Sequence, residues 1–447
     1  MPLRTDLRPL IHMARGVEPI SVSGKVTDVV GTIVEGHMPD TPVGAMCELQ
    51  PEGGGEPVPA EIVGFRGDKV LLMPLRQMSG LKPGSRISVE QSSPTVRVGP
   101  QMLGRVLDGL ARPIDGGPPV GGEVEQPLNA EGINPLLRPR IQEPMDVGIR
   151  AINAMLTIGV GQRVAIMAGS GVGKSVLLGM AARHTTADVN VIGLIGERGR
   201  ELREFIERDL GPEGLARSVV ICATSDKSPL VRIKGALLAT AVAEFFRARG
   251  KRVLLMMDSL TRLAMAQREV GLAIGEPPTS KGYTPSVLTL LPRLLERAGT
   301  APGGGSITGL YTVLVEGDDF NDPVADMVRA ITDGHIVLTR DLASQNIYPA
   351  IDFLHSKSRL MNDICHPSHM ENVARILEWL ATYQRVETLL NIGAYTRGTN
   401  PQIDRAIEMW PQVMEMLRQG IAEGHSIAES QAHVARLAQT ARATQEA

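Results

Sequence analysis

Residues 163–178 read Arg-Val-Ala-Ile-Met-Ala-Gly-Ser-Gly-Val-Gly-Lys-Ser-Val-Leu-Leu. The first five residues are a near-continuous apolar run of strand length opened by Arg163, and Val176, Leu177, Leu178 and Met180 have helical spacing. This pattern predicts a strand ending at Ala168, a tight turn, and a helix starting near Ser175. Gly169, Gly171 and Gly173 let backbone N–H groups converge without Cβ interference. The helix N-terminus adds its positive end. Lys174 supplies a cation for β- and γ-phosphates and Ser175 a hydroxyl for Mg²⁺. The expected nucleotide-binding stretch is Ala168, Gly169, Ser170, Gly171, Val172, Gly173, Lys174, Ser175 and Val176. The usual pattern has glycine where Ala168 stands. A ligand-free glycine turn is the plain alternative, and the strand before and helix after argue against it.

Working outward, four more near-continuous apolar runs appear at 191–195, 218–222, 253–257 and 310–315. Strands covered by helices on both faces read this way, so residues 146–345 predict a parallel-sheet α/β domain. All strand C-termini in such a sheet share one edge. The run 253–257 leads into Asp258, a position from which a carboxylate orients Mg²⁺ through its water shell. The run 191–195 leads into Gly196-Glu197-Arg198-Gly199. Glu197 is the candidate base for an attacking water, and Arg198 a phosphate or inter-subunit partner. A helix-capping Asp258 and a solvated charged turn at Glu197 are the alternatives that the loop displaces.

Residues 20–95 carry short β-like runs broken by Gly and Pro, among them 25–34, 61–65, 69–73 and 86–90. They predict a small barrel or sandwich. Phe65 is the only aromatic of the first hundred residues, so this unit lacks the stacking platform of a single-strand binder. Residues 96–145 read as a Gly/Pro-rich linker. Beyond 370 the spacing is helical, over 370–383, 403–419 and 427–441. Residues 1–18 carry a short amphipathic pattern; a frayed tail is the plain reading and a peripheral docking segment the sharper one. The expected divisions are 1–18, 19–95, 96–365 and 366–447.

The 447 residues carry a net charge of −3, with 43% hydrophobic and 21% charged residues. That balance excludes a globally basic nucleic-acid binder. Cys47, Cys222 and Cys365 are the three cysteines, far apart, which fits a reducing compartment. No apolar run of membrane-spanning length occurs. Cys365, His366 and His369 could be drawn as metal ligands, but Ser368 and Glu371 read better as a capping box opening a helix.

The strings GERGRELREFIERD (196–209), LLMMDSLTRLAMAQREVGLAIGEPP (254–278), EGDDFNDPVADMVRAITDGHIVLTR (316–340) and NIYPAIDFLHSKSRLM (346–361) resemble the flagellar protein-export ATPases, relatives of injectisome ATPases and of the rotary ATP synthase catalytic subunit. The resemblance implies an N-terminal β-barrel domain, a RecA-like P-loop ATPase core and a C-terminal helical domain, assembled as a homohexamer with catalytic sites at subunit interfaces. It implies ATP and Mg²⁺ as substrate and cofactor. Lys174 and Ser175 then hold phosphates and metal, Asp258 orients the metal, Glu197 is the base and Arg262 stabilises the site. Tyr348 packs on adenine, and Arg359 reaches the neighbouring subunit's site. Gly393-Ala394-Tyr395 and Met256-Met257-Asp258 resemble flagellar rather than injectisome versions.

The implied partners are a stator regulator bound by residues 1–18, a central stalk meeting the loop 271–285, a membrane export gate, and chaperone–substrate complexes, with no nucleic acid. The implied location is the cytoplasm, peripheral to the inner membrane at the flagellar base. Competing readings are an injectisome ATPase, a hexameric RNA-dependent motor, a non-catalytic nucleotide-binding subunit, and an ATP synthase catalytic subunit.

Overall fold

Gly31, at a φ of +59°, turns the run 25–34 back on itself, so one apolar stretch makes two antiparallel strands, β1 (Ser23–Val30) and β2 (Ile33–His37). With β3 (Met46–Gln50), β4 (Val58–Arg66), β5 (Lys69–Pro74) and β6 (Arg86–Gln91) they close a barrel in the order β1-β2-β5-β4-β3-β6. Alternate residues such as Cys47, Leu49, Ala60, Ile62, Leu72 and Ile87 fill its interior. Phe65 is exposed on its outside. The computed structural model describes residues 23–91, 93–315 and 322–443. The docking segment expected at 1–18 lies outside them.

The described chain divides into two compact units, the first running up to Pro94 and including Ala273–Gly275, the second holding the remainder from Thr95 onward. In the second unit, β7 (Thr95–Val98), β8 (Val106–Asp108), β9 (Val124–Pro127), β10 (Pro144–Met145) and β11 (Ile158–Gly159) occupy the stretch read as a linker and its continuation. This stretch is more than a linker, because β8 pairs in parallel with the main sheet. The sheet continues with β12 (Arg163–Ala168), β13 (Val189–Ile195), β14 (Ser218–Ala223), β15 (Arg252–Asp258), β16 (Gly299–Thr300), β17 (Ser306–Leu314), β18 (Gly334–Leu338) and β19 (Ile351–Ser358).

The strand order is β19-β18-β12-β17-β15-β13-β14-β8, with β16 on β17. Only β16 and β19 run antiparallel within this sheet. Every residue of β13 and β14 is buried, as strands covered on both faces require.

Three helices follow, Pro367–Asn391, Pro401–Leu417 and Ile427–Ala443. Tyr383 stacks on Trp410 with ring centroids 4.1 Å apart, joining the first two. The first helix is capped by His366 rather than Ser368, because Pro367 takes the first helical position and the His366 ring accepts from the Ser368 N–H. His369 turns inward, its Nε2 2.8 Å from the Ala154 carbonyl oxygen. The segment after Pro401–Leu417 is pinned to the sheet domain: the Gln419 amide donates to the Gly148 carbonyl at 2.8 Å and accepts from the Arg150 N–H at 2.7 Å. Among the described residues no helix is long and apolar enough to cross a membrane.

Candidate active site

Ala168 is the last residue of β12, paired with Leu314 of β17 on one side and Leu338 of β18 on the other. Its extended ladder position explains why alanine serves where the pattern has glycine. The glycines that matter come next. Gly171 and Gly173 have φ of +81° and +87°, a region that strains other residues. Gly173 caps the helix Lys174–His184, and a Cβ there would lie 3.3 Å from the Tyr348 ring. Ser170 and Gly171 form the exposed crest of the loop, Val172 is buried beneath it, and Ser175 and Val176 are half-buried in the first helical turn.

Lys174 reaches across this edge to the end of β15. Its Nζ is 2.5 Å from Asp258 Oδ1 and 3.8 Å from Glu197 Oε1. Asp258 is 4% exposed and Glu197 12% at the side chain. The ladder pairing of Leu194 with Asp258 explains the meeting, since β13 and β15 end side by side and Glu197 follows two residues beyond β13. Gly196 makes the turn at a φ of +74°, and a Cβ on it would come 2.8 Å from Arg262 Cβ. The Arg262 stem therefore packs directly under the Glu197 turn.

Burial pushes the Glu197 carboxyl up to about 7, helped by the Asp258 charge and a hydrogen bond with Glu201, while Lys174 and Arg262 pull the other way. Glu197 Oε1 and Arg262 Nε are buried and lack hydrogen-bond partners among the described residues. A carboxylate poised near neutrality, with an oxygen free to accept, suits proton abstraction.

The structure thus brings Lys174, Glu197, Asp258 and Arg262 together beside the loop. Two predicted residues stand apart. Arg198 is 73% exposed and pairs with Glu201 at 3.5 Å, facing solvent. Arg359 lies at the other edge of the sheet. β19 pairs Ile351 with Leu338 at the loop edge and Ser358 with Gly334 at the far one. Four residue steps along β18 therefore separate the two ends, roughly 13 Å of strand. There the exposed Arg359 donates to the Arg329 carbonyl at 3.1 Å and its N–H to the Asp333 carbonyl. It cannot serve its own chain's loop.

Tyr348, partly exposed, flanks a cavity of about 700 Å³ that opens beside the loop. Its other walls include Val176, Pro349, Gln419 and Ile421. Sequence reading missed the contribution of 415–423, because a wall some 250 residues from the loop has no local signature. Thr312 was also missed. Its hydroxyl donates to Asp258 Oδ1 at 2.7 Å, and the signal was a threonine inside the otherwise aliphatic and aromatic run 310–315.

Residues 22–88 match the ATP synthase alpha/beta family, beta-barrel domain; 148–358 match the nucleotide-binding domain of the same family; 365–436 match the T3SS EscN ATPase C-terminal domain. A flagellum-specific ATP synthase of Bacillus subtilis (strain 168) is 50% identical over 414 residues, 91% of this chain and 93% of that protein. The assembled ATPase EscN of the enteropathogenic E. coli type III secretion system superposes with a TM-score of 0.88 at 44% identity, covering 93% of this chain and 100% of the other. EscN in complex with its central stalk EscO gives 0.85 at 42% identity, covering 93% and 100%. With a barrel, a parallel-sheet core carrying the phosphate loop and a helical C-terminal unit, the chain is an ATPase belonging to the family of flagellum-specific ATP synthases and type III secretion ATPases.

Proposed function

We propose that the chain works as a homohexameric ring in which ATP hydrolysis energises flagellar protein export, each catalytic site being shared by two neighbours. One observation carries this reading. The phosphate loop, Glu197 and Asp258 converge at one edge of the sheet, while Arg359 projects from the opposite edge. A head-to-tail ring brings opposite edges of successive subunits together.

In this reading the loop N–H groups and Lys174 bind the β- and γ-phosphates. The donor set of Ser175 and Asp258 is all oxygen, one hydroxyl and one carboxylate, and suits a hard ion that keeps part of its water shell. The ammonium already seated on Asp258 Oδ1 marks that oxygen as a place for positive charge. Mg²⁺, when bound there, neutralises phosphate charge. Glu197, ionised above about pH 7, orients the attacking water and takes its proton. Tyr348 packs against the base in the cavity beside the loop. Arg262 holds the Glu197 turn in place, and Arg359 of the next subunit stabilises the charge on the transferring phosphoryl group. An arginine supplied in trans contributes about 10³–10⁵ in kcat.

Residues 1–18 would dock on a stator regulator, a central stalk would enter the ring as in the EscN–EscO complex, and chaperone–substrate complexes would be presented to an export gate. The ring would work in the cytoplasm, peripheral to the inner membrane at the flagellar base. The similarity to EscN favours an injectisome role as the second reading. The test is ATPase rate against protein concentration, with mass measured at each point. Specific activity should rise as hexamer forms. A monomer as active per chain as the ring would contradict the shared site.

A further inference from the structure

We infer that Thr312 is a positioning residue for the metal and phosphate end of this site. The inference rests on Asp258 being the metal-orienting carboxylate proposed above. Thr312 lies in β17, whose sequence Ser-Ile-Thr-Gly-Leu-Tyr-Thr-Val-Leu is buried at every position but the last. Its side chain is fully enclosed. A hydroxyl buried in such a strand is costly to leave unmet. Whereas the buried hydroxyls of Ser306 and Tyr311 in the same strand have no hydrogen-bond partner among the described residues, Thr312 has acceptors within reach.

The ladder decides which acceptor. β15 and β17 run parallel, with Met257 paired to Tyr311, so the next residues along, Asp258 and Thr312, are brought side by side at the strand ends. Thr312 Oγ1 lies 2.7 Å from Asp258 Oδ1 and 3.3 Å from the Met257 carbonyl oxygen. A hydroxyl has one proton, and the shorter, charge-assisted contact to the carboxylate takes it.

Asp258 Oδ1 thus receives two donors from two different elements. Thr312 comes from the central sheet, and Lys174 comes from the phosphate-loop helix at 2.5 Å. The hydroxyl fixes the rotation of the carboxylate from the rigid side, and the ammonium then meets an acceptor already in place. Without the hydroxyl, Asp258 can turn about its side-chain bonds, and both Lys174 and a metal lose a defined partner. Thr312 touches no reacting atom in this arrangement. It acts through Asp258.

The test compares Thr312→Val, which keeps the shape and removes the donor, with Thr312→Ser, which keeps the donor and removes the methyl. ATPase rates are followed through a Mg²⁺ titration at saturating ATP, alongside nucleotide affinity and thermal midpoint. Loss of a hydrogen bond to a charged group corresponds to roughly ten- to a hundredfold. Thr312→Val should lower kcat or weaken the Mg²⁺ midpoint by about that factor, while Thr312→Ser stays within a few-fold of wild type. Wild-type kcat and Mg²⁺ midpoint in Thr312→Val would overturn the proposal. So would Thr312→Ser failing as badly as Thr312→Val, which would mark the residue as packing alone. Should Thr312→Val not fold, Thr312→Ser still decides, since it lacks the methyl and keeps the hydroxyl. Retention of normal Mg²⁺ dependence by Asp258→Asn would instead overturn the metal role of Asp258 itself.

Discussion

Lys174 Nζ sits 2.5 Å from Asp258 Oδ1, joining the start of the phosphate-loop helix to the end of β15 across the edge of the sheet. Both side chains are almost enclosed, and Glu197 stands a further carboxylate close by. Removing the ammonium leaves two buried acidic groups facing each other. Lys174→Ala is therefore expected to abolish turnover and to lower stability by roughly 3–5 kcal/mol, as when one member of a buried pair is removed. Urea unfolding checks the second expectation, and an unchanged midpoint would contradict it.

Glu197 gives a pH dependence whose sign follows from its environment. Its carboxyl is held up at about 7, mainly by burial, so the water-activating form appears as pH rises through 7. Turnover should fall on the acid side of about pH 7. Stability runs the opposite way, because the folded chain holds this proton more tightly than the unfolded one. That contribution is complete below the unfolded carboxyl value of about 4.3 and is lost as pH rises to 7. Glu197→Gln should accordingly abolish turnover, keep nucleotide affinity, and stabilise the protein at pH 8 by roughly 1–2 kcal/mol. Near-normal turnover in this variant would remove Glu197 from the role of base.

Gly196 allows that carboxylate to be where it is. Its φ of +74° and the 2.8 Å approach of a would-be Cβ to Arg262 leave no room for a side chain. Gly196→Ala should cost about 1–3 kcal/mol of stability and displace Glu197, so kcat should fall more than KM changes. Loss of stability with unaltered kcat would show that the turn and the base are uncoupled.

Tyr348 is expected to act on affinity. An aromatic that stacks on a base contributes about 1–3 kcal/mol per base, so Tyr348→Ala should raise the KM for ATP from several-fold to about a hundredfold with a smaller change in kcat. Fluorescent-nucleotide titration reads this directly. Unchanged affinity would place the base elsewhere than the cavity beside Gly173.

How much of this was legible in the sequence differs by element. The phosphate loop, Glu197 and Asp258 could be read because strand, turn and helix lie within a few residues, and because parallel strands all end at one edge. The run 25–34 could not be read as a hairpin from apolar content alone; the left-handed Gly31 decides it. β8 escaped notice because three residues, Val106–Asp108, carry no periodicity. The wall formed by Gln419 and Ile421 depends on long-range seating of the helical unit through Arg150 and Gln419. Thr312 looked like an exception in an apolar strand, and its meaning came only from the register of β15 on β17.

The shared site is the central claim, and mixing two inactive variants tests it most directly. Glu197→Gln subunits keep Arg359, and Arg359→Ala subunits keep the loop and its base. After subunit exchange at equal amounts, about a quarter of the head-to-tail interfaces in a random ring pair an intact base with an intact neighbouring arginine. The account predicts that ATPase activity, absent from either variant alone, returns in the mixture. Rings of hexamer mass that stay inactive after exchange, or assembled Arg359→Ala rings that are fully active alone, would contradict it.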